Sequence, residues 1–390
     1  MRLEPASESM DSASASGLAL YVHVPWCLRK CPYCDFNSHE AGGAIPEERY
    51  VEALRADLRA ALPLVSGRAV HSIFFGGGTP SLLSVRAVGD VLDAVGALLP
   101  LEAGCEITLE ANPGAADETK FRGFRGAGIT RLSLGVQSFD DAHLSAIGRV
   151  HGGEAARRAL EGALRHFERV NADLMYALPG QTVAQAAADV QIAIGLGPEH
   201  ISAYQLTIEP NTWFAHQPPE LPGEDVATEM QEALEAMLGQ AGYAHYETSA
   251  FARHGAACRH NLNYWHFGDY LGIGPGAHSK LSVDGRIVRQ VRHRQPKAYM
   301  ESAGRGNPVH EEHAVATADL GFEFMMNALR LTQGFPVALF QARTGLELSA
   351  VEGPLLQAAA RGLIECRPER IRPTRLGRRF LNDLLQLFLP

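Results

Sequence analysis

Three cysteines fall within eight residues, Cys27, Cys31 and Cys34, in the stretch YVHVPWCLRKCPYCDFNSH. Their C-x3-C-x2-C spacing lets three thiolates on one short loop converge on a single metal centre. Two chemistries use such a set. Structural zinc as a rule takes four protein ligands, so His23, His39 or a remote residue would have to complete it. An iron–sulfur cube is the other solution: three cysteines hold three irons, and the fourth iron stays open to a small ligand. Cys105, Cys258 and Cys366 stand apart and read as small core or surface residues.

The elements that must carry this loop are strands alternating with helices. Apolar, β-rich runs begin at Leu18 (LALYVHV), His71 (HSIFFGG), Glu106 (EITLEA), Arg131 (RLSLGVQ), Ala172 (ADLMYAL) and Ile201 (ISAYQLTI). Helical patterns such as EERYVEALRADLRAAL and SVRAVGDVLDAVGALL lie between them, with apolar residues at i, i+3, i+4 and i+7. Apolar strands in strict alternation with helices imply a parallel sheet covered by helices. The expected fold is therefore α/β, an incomplete (β/α)6 TIM-like barrel over residues 18–222, with a Rossmann-type sheet as the structural alternative. The cysteine loop follows the first strand at its C-terminal end, where barrel enzymes place their chemistry.

Further polar groups stand at the ends of the other strands. FFGGGTPSLL puts Gly76, Gly77, Gly78 and Thr79 after the second, and glycines let a backbone approach a ligand closely. LEANP puts Glu110 at the end of the third. GVQSF places Gln137 after the fourth, Arg149 follows in IGRVH, and Asp173 lies on the fifth. Taken singly each residue has an ordinary structural reading. As an ordered set at strand ends they point into one barrel mouth.

Beyond residue 222 the pattern changes. A helix, DVATEMQEALEAMLGQAGY, leads into a Gly- and His-rich loop region at residues 253–285, within an extension of the barrel that spans 223–307. Residues 308–390 read as a mainly helical, winged-helix-like unit. Residues 1–17 are Ser/Ala-rich and polar and read as a disordered tail without a signal-peptide apolar region. No apolar run reaches the ~20 residues of a membrane span. The formal net charge of -9 gives no broad basic surface for nucleic acid. The arginine-rich RPERIRPTRLGRRF reads as a solvated helix or wing edge. A cytoplasmic location is expected, where thiols stay reduced.

The cysteine spacing, with Tyr33 immediately before Cys34 and Tyr21 six residues before Cys27, resembles the radical S-adenosylmethionine (SAM) superfamily. The resemblance implies a [4Fe–4S] cluster on Cys27, Cys31 and Cys34 whose open iron is chelated by SAM. An electron from the cluster then cleaves SAM to methionine and a 5′-deoxyadenosyl radical. It also implies that the Gly77, Gly78 and Thr79 loop meets the methionyl amino group and that Arg149 pairs with the SAM carboxylate. Glu110, Gln137, Asp173 and Tyr21 would bind polar parts of SAM.

YVHVPWC, FFGGGTPSLL, LEANP, LGVQSF and DLMYALPGQT together resemble the coproporphyrinogen III dehydrogenase (HemN) family over residues 18–300. In that family a cysteine follows the third cluster cysteine by two residues, and a longer N-terminal segment precedes the barrel. This chain has Phe36 there and about twenty residues before Tyr21. It therefore resembles the haem-chaperone (HemW) branch, whose H-N-x-x-Y-W motif appears as HNLNYW from His260 to Trp265. The branch implies haem binding, with His260 as a ligand for iron and Tyr264 and Trp265 as flat apolar surface. It implies delivery to apo-haemoproteins such as respiratory cytochromes, with a homodimer and peripheral membrane contact compatible with that task. His254, His266 and His278 lie close enough in sequence to compete as ligands. Without the resemblance, HNLNYWHFGDYLGIGPGAH would read as a Gly-rich turn region with an aromatic anchor. The rivals are an oxygen-independent coproporphyrinogen III dehydrogenase, a radical SAM methyltransferase or nucleic-acid modifier, and a zinc scaffold.

Overall fold

The computed structural model describes residues 17–65, 67–115 and 117–389. Apart from Gly17, the expected N-terminal tail lies outside them. Six strands, β1 (Leu18–Val24), β2 (Val70–Gly77), β3 (Leu101–Ala111), β4 (Arg131–Gln137), β5 (Arg169–Tyr176) and β6 (His200–Gln205), pair in parallel in sequence order. Helices Glu47–Val65, Val85–Leu98, Gly153–His166 and Val183–Leu196 connect them across the outer face. This is the open barrel expected from the strand–helix alternation. Leu18, Leu20, Val22 and Val24 are fully buried because both faces of β1 are covered.

Helix starts follow local capping chemistry. Ser84 Oγ accepts from Ala87 N at 3.1 Å, and Ser84 N and Oγ both donate to the Glu47 carboxylate, so one cap ties two helices together. Thr182 and Gln185 form a reciprocal capping box on Val183–Leu196.

Residues 253–285 depart from the expected loop. They contain the helix Arg259–Trp265 and two strands, and with their neighbours they extend the sheet to twelve strands at both edges. β7 (Ala244–Glu247) and β8 (Ala250–Ala252) add antiparallel beside β6. β9 (Tyr270–Ile273) adds parallel to β1, followed outward by β10 (His278–Val283), β11 (Arg286–Arg292) and β12 (Val309–Ala314). The glycines concealed these short strands. Gly272 sits inside β9 because a Cβ there would fall 2.0 Å from the His278 carbonyl oxygen. The residues just after 308 are accordingly the outermost strand of the main sheet and not part of the C-terminal unit.

The C-terminal unit has its own core around Phe324, Phe335 and Phe340, whose rings meet edge to face. Its helices pack on a small sheet of β13 (Phe335–Pro336), β14 (Ile364–Cys366) and β15 (Arg370–Pro373). No helix of the described residues is long and apolar enough to cross a membrane.

Candidate functional site

The cysteine loop leaves the C-terminal end of β1 and is pinned at several points. Asn37 Nδ2 donates to the carbonyls of Pro275 and Arg294, each at 2.9 Å. His23 Nε2 donates to Asn37 O at 2.9 Å, which leaves His23 Nδ1 to accept from Tyr21 OH at 3.1 Å. Lys30 Nζ donates to Phe36 O at 3.2 Å.

Each cysteine sulfur has a polar side chain within reach. Thr79 Oγ1 lies 3.6 Å from Cys27 Sγ, Arg149 Nη1 3.6 Å from Cys31 Sγ, and Ser38 Oγ 3.8 Å from Cys34 Sγ. Burial raises the Cys27 and Cys34 pKa values, and these hydroxyls partly counter it. Donors aimed at sulfur stabilise thiolate. Among the described residues no three His, Cys, Asp or Glu side chains close on one ion. Three thiols on one loop, each with a hydrogen-bond donor beside its sulfur, are a donor set that fits an iron–sulfur cluster.

A cavity of about 370 Å³ opens beside them. Cys27, Cys31 and Cys34 line it together with Tyr33, Gly77, Gly78, Thr79, Glu110, Gln137, Arg149 and Asp173. The strand-end residues thus meet the cysteines in one place. Gly77 has φ +110°, and a Cβ there would meet the His23 ring at 2.5 Å; one on Gly78 would fall 2.5 Å from Trp26 O. The glycines let this loop close against the end of β1, where Gly78 N and Thr79 N donate to Val24 O and Trp26 O at 2.7 Å.

Electrostatics also mark the cavity. Burial, reinforced by Asp173, lifts the Glu110 carboxyl to about 8, against a single bond from Gly77 N at 3.2 Å. Burial raises Asp173 as well, although Ser133 and Asn171 donate to it at 3.0 and 2.8 Å. Arg149 Nη2 donates to Gly135 O at 2.7 Å, while its buried Nε has no acceptor. That orphaned donor in the cavity wall fits an anionic group of SAM. Gln137 holds φ +69°, a strained value for a side-chain-bearing residue.

Tyr21 lies elsewhere. It lines a second, inner chamber of about 190 Å³ beneath the first, with which it shares Glu110, Ser133, Asp173 and Tyr204. His260, Asn261 and Tyr264 form part of that chamber's wall, because Arg259–Trp265 packs as a helix across the barrel interior. His260 is 1% exposed. Its Nδ1 meets Ser72 Oγ at 3.1 Å and its Nε2 meets Tyr264 OH at 3.0 Å. Desolvation lowers its pKa to about 3, so it is neutral. The motif therefore presents no open imidazole nitrogen to solvent. Trp265 points the other way, 4.5 Å beneath the Arg330 guanidinium.

Several lining residues escape the motif reading: Ser133, Met175, Tyr204 and Leu206 on or just after β4, β5 and β6, and Arg29 and Phe36 on the cysteine loop. The rule that barrel chemistry sits at strand C-termini already pointed to the first group. Phe36 stands out in the sequence only as an absent cysteine.

Comparison with known proteins agrees with this geometry. The Radical SAM superfamily description matches residues 21–191, and the HemN C-terminal domain matches residues 315–380. The heme chaperone HemW of Escherichia coli (strain K12) is 47% identical over 378 residues, covering 95% of this chain and 98% of the relative. The heme chaperone HemW of Mycobacterium tuberculosis (strain H37Rv) is 36% identical over 380 residues, covering 95% and 94%. Among solved structures, the radical SAM enzyme coproporphyrinogen III oxidase (HemN) from Escherichia coli superposes with a TM-score of 0.82 at 23% identity, covering 96% and 90%, and so shares the fold. With relatives this similar along nearly its whole length, the chain belongs to the heme chaperone HemW family of the radical SAM superfamily.

Proposed function

We propose that this protein is a haem chaperone that binds haem and passes it to apo-haemoproteins, with a [4Fe–4S] cluster on Cys27, Cys31 and Cys34 and SAM beside it. The observation that carries the reading is the near full-length relation to heme chaperones, joined to a cysteine loop whose donors fit the cluster. When bound, the cluster and SAM supply one-electron reductive chemistry.

The chain's own residues prepare the site. Thr79, Arg149 and Ser38 hold the sulfurs as hydrogen-bond acceptors. Arg149 also offers its unused Nε to the SAM carboxylate. Glu110, protonated at neutral pH by its raised pKa, donates a hydrogen bond where an ionised carboxylate would only accept. Tyr33, Gly77, Gly78, Gln137 and Asp173 shape the walls. Tyr21 acts at one remove, by fixing the His23 ring against which Gly77 packs. The recipients in this reading are respiratory haemoproteins, met by a cytoplasmic homodimer through peripheral contact with the membrane.

The rival dehydrogenase shares the fold. Phe36 in place of that family's cysteine and the HNLNYW motif weigh against it. The test is anaerobic incubation of the cluster-loaded protein with SAM and reductant, and with coproporphyrinogen III or haem in parallel tubes. A stable Soret band and no decarboxylated product is the expected outcome. Repeated turnover of coproporphyrinogen III would make the protein a dehydrogenase.

A further inference from the structure

Among the described residues, six of the thirteen exposed large hydrophobic side chains belong to segments that line or adjoin the barrel mouth: Leu28, Phe36, Val150, Tyr204, Ile208 and Trp213. Soluble proteins scatter such residues singly, and a concentration of them marks a binding surface. Phe36 is 58% exposed and Tyr204 41%, and both line the same cavity as the three cysteines. Leu28 and Val150 border an adjoining notch with Arg29, Cys31 and Arg149. Trp213, 59% exposed, opens a short helix fastened to the cysteine loop, where Phe214 N donates to Pro32 O at 3.0 Å. The backbone beneath Phe36 is pinned by Lys30 Nζ and Ser38 N, which both donate to its carbonyl. The apolar side chain is thus held outward by an ordered loop.

Charge is unevenly placed on this lip. Arg29 is exposed and is matched to no carboxylate among the described residues, whereas Asp35 and Glu209 also line the cavity. An amphipathic disc with acidic arms would lay its flat face on the aromatics. Its carboxylates would turn toward Arg29 and away from Asp35 and Glu209.

We infer that haem docks across the barrel mouth, on a lip formed by Phe36, Tyr204 and Trp213 with Arg29 opposite a propionate, and so caps the cavity that holds the cluster and SAM. This rests on the haem-chaperone reading and gives that reading a location. The alternative place, beside His260, is closed: the inner chamber's about 190 Å³ is below the about 300–1,000 Å³ of pockets for drug-sized ligands, and both nitrogens of the ring are bonded. The mouth carries exposed aromatic side chains on its lining, so a flat disc can lie across it without entering the cavity beneath. Phe36 thereby acquires a role of its own.

The experiment is an anaerobic haem titration of the cluster-loaded protein, followed by the Soret band, for wild type, Arg29→Glu and the double variant Phe36→Asp/Trp213→Ser. All three side chains are exposed, so the fold and the brown cluster absorbance report intact protein. We expect haem affinity to fall about tenfold or more in the double variant and less in Arg29→Glu, as for loss of interface anchors. Tritiated SAM should also bind more slowly once wild type is saturated with haem. Wild-type affinity in the double variant, with SAM access unchanged by haem, overturns the docking site and leaves the chaperone reading standing. Absence of haem binding in wild type overturns the chaperone reading itself.

Discussion

Arg149 Nη1 reaches Cys31 Sγ across 3.6 Å, although 118 residues separate them in sequence. Burial opposes the charge on this guanidinium, and the neighbouring Tyr33 and Cys31 hold it protonated. It thus couples a thiol of the cysteine loop to the wall of the cavity. Loss of a buried cation beside a cluster disfavours the reduced, more negative state. In Arg149→Gln the midpoint potential, read by EPR during a redox titration, should move to more negative values. SAM affinity should fall about tenfold or more in the same protein, the scale for removing a charged hydrogen bond. An unmoved potential would place Arg149 in packing alone.

Cys27→Ser, Cys31→Ser and Cys34→Ser should each abolish the brown chromophore. Iron and acid-labile sulfide analysis of the anaerobically reconstituted proteins checks this. Retained iron and sulfide in all three variants would remove the cluster from this loop.

Glu110 makes stability fall with rising pH. Its folded pKa of about 8 lies above the unfolded carboxyl value, so the folded state binds the extra proton between them. Stability from this group is full below about 4.3 and is lost as pH climbs toward about 8, by an order of a few kcal/mol. Denaturant unfolding of ligand-free Glu110→Gln should show a flatter pH profile over that window than wild type. Parallel profiles would mean that Glu110 ionises freely.

His260 has the opposite slope. Its folded pKa of about 3 lies below the unfolded imidazole value, so its contribution is complete above about 6.5 and is lost as pH falls toward 3. His260→Ala leaves Ser72 and Tyr264 hydroxyls without their buried partner and should cost about 2–4 kcal/mol, cavity included. His260→Gln, which can engage both hydroxyls, should recover part of it. Haem affinity should track folded protein in both variants. A haem spectrum that changes in fully folded His260→Gln would put the ring on the iron.

Much of this was legible in the residues. Apolar runs such as LALYVHV and RLSLGVQ carry their own strand bounds, because a strand covered on both faces has no polar interruption. Glu110 follows from a strand end and the barrel rule, the cysteine set from its own spacing, and Arg149 only from the resemblance to the radical SAM superfamily. Residues 253–285 were not legible. Their strands are short, and Gly272 and Gly274 make room for neighbouring backbone where a sequence reader sees turns. His260 reads as a candidate ligand because imidazole chemistry is visible in sequence, whereas the hydroxyl that meets its Nδ1, on Ser72, lies 188 residues away. Phe36 was noticed for the residue it replaces, and only exposure beside the cavity shows what it offers.

The helix Arg259–Trp265 is seven residues long and has two masters. His260, Asn261 and Tyr264 wall the inner chamber. Trp265 lies under Arg330 of the C-terminal unit, and Phe267, two residues on, is buried in that unit's core 5.8 Å from Phe324. The C-terminal unit therefore grips the barrel's cork from outside. A displacement of this unit is therefore also a displacement of the chamber wall, because one short helix belongs to both.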